Sequence, residues 1–223
     1  MSRLFIVPTP IGNLKDITLR ALDILKDVDI ILAEDTRKTR ILLDHYQIKT
    51  RLRSHHKFNE HGAVTGVVNE INEGKSAALV TDAGTPGISD PGYLLVRACL
   101  EKEIEVETLP GATAFIPALI NSGIPCDRFC FEGFIPQKKG RQKKINSIAR
   151  EERTIVLYES PHRLIKTLTQ LAEKLGNERK ASVSRELTKI HEENVRGSLA
   201  DIVSHFKDRT IKGEIVIIIE GEK

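Results

Sequence analysis

Thr81-Asp82-Ala83-Gly84-Thr85-Pro86-Gly87-Ile88-Ser89-Asp90-Pro91-Gly92 follows a short apolar run, Ala77-Ala78-Leu79-Val80, and precedes a helical pattern from Tyr93 to Glu103. The apolar run reads as a buried strand, so a Gly/Pro-rich loop sits at a strand's carboxyl end. Open α/β sheets bind their ligands at that end. Small residues in the loop let backbone N–H and C=O groups approach a ligand closely. Working outward, Leu4–Val7, Ile30–Ala33 and Glu105–Leu109 read as further strands, and helical patterns fill Thr18–Val28, Arg37–His45, Asn59–Glu73 and Ala112–Asn121. This alternation predicts an α/β domain with a mostly parallel sheet and flanking helices over residues 1–121.

Ser122-Gly123-Ile124-Pro125 interrupts the rhythm, and a second domain is expected over residues 122–223. There Arg128–Glu132, Thr154–Tyr158, Ala181–Ser184 and Glu214–Ile219 read as strands, and Lys143–Glu152, Pro161–Leu175 and Leu199–Phe206 as helices. Pro161 suits the first turn of its helix, with Ser160 as the N-cap. Ile190–Arg196 could pair antiparallel with Ala181–Arg185, so the second sheet is expected to be mixed.

At 223 residues the chain is long enough for two small α/β domains, and 40% hydrophobic with 29% charged residues is an ordinary globular balance. Aromatic residues are scarce at 4%, with no Trp, which argues for aliphatic cores and against extensive base-stacking platforms. A net charge of +3 is compatible with an anionic partner without demanding one. No apolar run approaches the length of about 18 residues that crosses a bilayer. The N-terminal apolar stretch is too short for a signal peptide. Cys99, Cys126 and Cys130 lack disulfide or zinc spacing, so reduced thiols in a cytoplasmic protein are expected, with no metal.

Three more loops fall at predicted strand ends of the first domain. Thr9-Pro10-Ile11-Gly12-Asn13-Leu14 and Pro110-Gly111-Ala112-Thr113 repeat the small-residue character, and together with Gly84–Ile88 they predict a ligand crevice. The third, Glu34-Asp35-Thr36-Arg37, could position a proton or a phosphate, or Asp35 could simply cap a helix. His55 and His56 could serve a base or a metal, but without a spaced third ligand a surface loop is the better account. In the second domain, Glu159–Arg163 and Arg185–Lys189 place charge at strand ends. Lys138, Lys139, Arg141, Lys143 and Lys144 crowd one short segment, readable as a solvated loop or as a footprint for a phosphate backbone.

These segments, together with Asp127-Arg128-Phe129, Phe131-Glu132-Gly133-Phe134 and Gly213-Glu214-Ile215, run nearly end to end. Taken together they resemble the tetrapyrrole-methylase-like superfamily, and within it the methyltransferases of small-subunit ribosomal RNA. The resemblance implies two α/β domains with S-adenosylmethionine (SAM) in the cleft between them, and a homodimer. It further implies 2′-O-methylation of a cytidine ribose in 16S rRNA near the decoding centre, on the assembled small subunit. By similarity, Gly84, Thr85, Pro86 and Ile88 would hold the methionine end of the cofactor, followed by Ala112 and Thr113. Pro10 would border the transfer site, and Tyr158, Leu187, Gly213, Glu214 and Ile215 would meet the adenosine. Asp35 and Glu186 are the candidate proton acceptors, with Arg37 as an orienting cation. Two departures from the family pattern stand out: Pro8 replaces a small residue, and Ser54–Asn59 lacks an acidic and a second His position. The alternative within the superfamily is a small-molecule methylase acting on a tetrapyrrole. A non-enzymatic ribosome-binding module is the third reading.

Overall fold

The computed structural model describes residues 2–56 and 60–222. The chain divides into two compact units, Met1–Thr113 and Ala114–Lys223. The break precedes the expected boundary by one helix. Helix Phe115–Ser122 packs on four strands of the second sheet, and its apolar face therefore assigns it to the second unit.

The first unit is built on strands β1 (Arg3–Ile6), β2 (Ile30–Ala33), β3 (Leu52–Ser54), β4 (Ala77–Val80) and β5 (Glu105–Thr108), in the order β3-β2-β4-β1-β5. All its pairings are parallel. Every residue of β2 and β4 is buried, because helices cover both faces of a parallel sheet and leave no side facing water. Its helices are α1 (Leu19–Asp27), α2 (Thr36–His45), α3 (Glu60–Asn72) and α4 (Tyr93–Leu100). Two apolar clusters result, one containing Leu4, Leu79 and Leu95, the other Leu25, Ile31 and Leu43. Strand β3 escapes a reading of apolar runs because Leu52-Arg53-Ser54 carries only one apolar residue. It forms by pairing with the edge of β2. At the other edge, Arg3 ties β1 to β5 through Glu105 and Glu107 at 2.6 and 2.9 Å.

The second unit contains α5 (Phe115–Ser122), β6 (Phe129–Phe134), α6 (Arg141–Ile148), β7 (Thr154–Glu159), α7 (Leu164–Leu175), β8 (Lys180–Arg185), β9 (Glu193–Ser198), α8 (Leu199–Phe206) and β10 (Ile215–Ile219). The sheet order is β6-β7-β10-β8-β9, parallel only between β6 and β7. The predicted antiparallel hairpin forms between β8 and β9, a few residues later than read. Pro161 does not open α7. The Glu159 carboxylate accepts the Ser160 N–H at 2.7 Å and Arg163 N–H bonds Ser160 O, so a turn occupies 160–163 and the helix starts at Leu164.

Candidate functional site

Because the first sheet is parallel, the loops after β1, β2, β4 and β5 all leave from one edge. Three of them are stitched together. Thr9 and Gly84 exchange backbone hydrogen bonds, both at 2.9 Å, and the buried Thr9 hydroxyl donates to Thr81 O at 3.0 Å. The Thr85 hydroxyl donates to Ala112 O at 3.0 Å. Gly84 has φ +85°, and a Cβ there would lie 3.5 Å from Ile11 Cγ2 and 3.7 Å from Ala112 O. At Gly111 a Cβ would fall 2.6 Å from Pro8 Cβ, so position 111 must lack a side chain where it passes Pro8. Pro10, Pro86, Ile88, Ala112 and Thr113 sit around this junction in sequence, with Pro86 buried and Ile88 exposed.

Donors in this loop are largely consumed internally. Gly84 N–H goes to Thr9, Gly87 N–H to Pro91 O and Ile88 N–H to Thr85 O. Pro86 has no N–H at all. With these N–H groups spent and each carbonyl keeping a second lone pair, the loop favours a ligand that donates hydrogen bonds. Such a set suits cationic or amine groups and suits a phosphate poorly.

The loop after β2 adds charge. Asp35 is the N-cap of α2: its Oδ1 accepts the Arg37 N–H at 2.9 Å, and the Arg37 side chain grips both carboxylate oxygens at 3.0 and 2.8 Å. The Arg37 side-chain hydrogen bond, seconded by its backbone N–H, holds the Asp35 carboxyl well below the usual carboxylate range. Asp82 accepts the Asp35 N–H and pairs with Lys38 at 2.7 Å, joining this cationic turn to the start of the Gly/Pro loop. Arg37 is 89% exposed and keeps unused N–H donors. The sequence did not reveal the neighbouring group, in which the Thr81 hydroxyl lies 2.8 Å from both Glu34 Oε2 and Asp90 Oδ2. These residues come from two different loops and meet only through the β2–β4 register.

His55 is buried, contrary to its reading as part of a surface loop, and its N–H extends β3 by bonding Ala33 O. Lys57, Phe58 and Asn59, the rest of that departure from the family pattern, lie outside the described residues.

In the second unit Glu186 has a φ of 52°, and its carboxylate fills the space beside Gly213. Its Oε1 accepts from Lys189 Nζ at 2.9 Å and from Glu214 N–H at 3.0 Å, while Glu186 N–H bonds Glu214 O. Burial pushes its pKa upward, but these partners outweigh it and leave the group below its ordinary value. An effective general base has a pKa near the working pH. The Asp35 and Glu186 carboxyls both lie below their ordinary range, which makes either a weak proton acceptor, and each also holds a structural partner. The lock around Glu186 fixes the backbone of Leu187, which is buried, and of Gly213, Glu214 and Ile215.

The basic segment is corrected at Arg141. Arg141 is 6% exposed and spends its guanidinium on Gln170, Pro136 O and Thr167, so it cannot meet a phosphate. Lys144 is paired with Glu132. Both follow from α6 starting at Arg141, which turns these two side chains onto the unit; Lys138, Lys139 and Lys143 remain exposed. Aromatic residues, though scarce, converge here. Tyr158 packs edge-on against Phe131 at 5.1 Å and tilted against Phe134 at 5.7 Å, and Phe115 lies 5.0 Å from Phe131. Three separate segments supply them, which hid the cluster from the sequence. No described helix is long and apolar enough to cross a membrane. Among the described residues no group of three His, Cys, Asp or Glu could hold a metal ion.

An all-parallel α/β unit with small-residue loops at its strand ends, followed by a mixed-sheet unit, is the architecture of the tetrapyrrole methylase class, and residues 3–203 match the family model "Tetrapyrrole (Corrin/Porphyrin) Methylases". Among solved structures, a uroporphyrin-III C-methyltransferase from Thermus thermophilus complexed with S-adenosyl homocysteine superimposes with a TM-score of 0.66 at 18% identity, covering 97% of this chain and 96% of that one. Sequence relatives are much nearer. The ribosomal RNA small subunit methyltransferase I of Synechocystis sp. is 53% identical over 99% of this chain and 80% of its own length. That of Thermotoga maritima is 45% identical over the full length of both. The chain belongs to the ribosomal RNA small subunit methyltransferase I family, within the tetrapyrrole methylases.

Proposed function

We propose that this chain transfers a methyl group from SAM to the 2′-hydroxyl of a cytidine ribose in 16S rRNA, near the decoding centre of the small ribosomal subunit. It acts in the cytoplasm and as a homodimer. The observation that carries the cofactor assignment is the stitched junction of Thr9, Gly84 and Ala112, whose carbonyls each accept one internal hydrogen bond and keep a second lone pair for a ligand. A ligand bearing an ammonium and a sulfonium fits acceptors of this kind. Family membership, at 45–53% identity to the two relatives above, supports the RNA substrate.

SAM supplies an activated methyl group on a good leaving group. The residues of this chain bind, orient and exclude water. Pro10, Gly84, Thr85, Pro86, Ile88, Ala112 and Thr113 form the proposed cofactor contacts of the first unit, and Tyr158, Leu187 and Gly213–Ile215 those of the second. Arg37 orients an RNA phosphate through the N–H groups that Asp35 leaves open. Asp35 is retained as the residue that holds Arg37, and Glu186 as the one that holds Glu214. Rate enhancement then comes chiefly from aligning the ribose oxygen with the methyl group.

The test incubates the purified protein with methyl-labelled SAM and small subunits. The 2′-oxygen is the nucleophile of alkaline RNA cleavage, so a methylated ribose leaves a gap in the alkaline ladder. A single gap at a cytidine is expected. Label on a base, or transfer to a tetrapyrrole but not to subunits, would overturn the reading.

A further inference from the structure

Two arginines and a glutamate lie largely buried in the second unit without a part in the proposed transfer. Arg141 is 6% exposed, Glu159 2% and Thr167 fully buried. The Arg141 guanidinium donates to Thr167 Oγ1 at 2.7 Å, and that hydroxyl donates onward to Glu159 Oε2 at 2.6 Å. The other Glu159 oxygen pairs with Arg163 at 2.6 Å. Each guanidinium also grips one peptide carbonyl: Arg163 bonds Ile135 O and Arg141 bonds Pro136 O, both at 3.2 Å. Those carbonyls are consecutive, and they immediately precede the turn that carries Lys138 and Lys139 and leads into Lys143 on α6.

Burying charge this way is an inefficient route to stability, because desolvation offsets most of the attraction and apolar replacements do as well or better. The same arrangement is an efficient route to a fixed backbone. A loop tethered at two consecutive carbonyls from a buried network holds its exposed cations at set positions, so an incoming polyanion has less conformational entropy to remove. Lys138, Lys139 and Lys143 are exposed, and no ion pair is formed by them among the described residues.

We propose that the Glu159–Thr167–Arg141 network, with Arg163, is a positioning device that preforms the Lys138/Lys139/Lys143 surface for the phosphate backbone of the RNA substrate. This rests on the RNA reading above. Arg141 and Thr167 are positioning residues and touch no substrate.

Thr167→Val keeps shape and every cation but breaks the relay; Thr167→Ser keeps the hydroxyl. Binding of the full-length protein to small subunits is measured across salt concentrations, together with SAM affinity, kcat and KM for subunits. Thr167→Val should weaken subunit affinity and raise that KM about 10-fold, the worth of roughly one such hydrogen bond. Its salt slope, kcat and SAM affinity should stay unchanged, and Thr167→Ser should remain near wild type. Gln170→Ala, at the half-buried rim of the network, gives a milder loss of the same kind and serves if Thr167→Val does not fold. Lys138→Gln, Lys139→Gln and Lys143→Gln combined should flatten the salt slope by about 2–3 units. If that triple variant keeps its slope and affinity, the phosphate surface is absent and the inference falls with it. If the triple variant binds weakly but a folded Thr167→Val or Gln170→Ala binds like wild type, the surface exists and the network does not position it. An equal loss of SAM affinity would indicate general loosening and would also overturn the proposal.

Discussion

Gly213→Ala should be among the more damaging single-methyl additions available in this chain, and its cost should depend on a residue 27 positions away, Glu186. The added Cβ would lie 2.3 Å from Glu186 Cδ and Oε1 and 2.4 Å from its Cγ. The carboxylate cannot step aside freely, because Lys189 Nζ and the Glu214 N–H hold it. Two penalties add. Alanine at φ +93° costs about 1–2 kcal/mol from left-handed strain. Displacing the locked carboxylate adds about 1–3 kcal/mol of overpacking. The total is about 2–5 kcal/mol. Glu186→Ala alone should cost about 1.5–3 kcal/mol, the loss of hydrogen bonds to a charged group. In the double variant the steric part disappears while the strain remains, so the two costs should fall short of additivity by about 1–3 kcal/mol. Urea denaturation of the four proteins closes the cycle. Additive costs would refute the lock. Glu186→Gln keeps an acceptor for the Glu214 N–H, so it should retain kcat within a few-fold. A loss of several orders of magnitude in kcat with SAM affinity intact would instead make Glu186 the base.

Three further outcomes are expected. Thr85→Arg should abolish SAM binding in isothermal titration, since it fills the junction and removes the bond to Ala112 O, at a folding cost of about 1 kcal/mol; unchanged affinity in a folded variant would remove this loop from the site. Gly111→Ala should destabilise by about 1–3 kcal/mol through its 2.6 Å approach to Pro8 Cβ; Pro8→Gly, which removes that atom, should relieve the steric part in a thermal melt, whereas Pro8→Ala, which keeps it, should relieve little. Glu151, hydrogen-bonded by the Arg153 side chain and backbone N–H, has its pKa lowered to about 2 from an ordinary 4.5. Its contribution to stability is complete above about pH 4.5 and fades as pH falls toward 2, so Glu151→Gln should narrow the stability gap to wild type as acid is added.

The sequence by itself determined the alternation of strands and helices in the first unit, the mixed second sheet and the position of the small-residue loops. Those signals are local: apolar runs such as Ala77–Val80, an N-cap such as Thr18 before α1, and Gly or Pro where a chain must turn. Motifs extending over nearly the whole chain also identified the family. Tertiary structure alone decided what the polar residues do. Asp35, Glu186 and Arg141 have the same composition-level appearance as catalytic or RNA-binding groups. Their partners, however, are a capped helix end, a strand-end glycine and a buried threonine. A charged side chain's role depends on which groups surround it and how much water remains. Those neighbours come from segments as distant as Glu34 and Thr81, or Arg141 and Gln170, which only the sheet register and helix packing bring within hydrogen-bond reach.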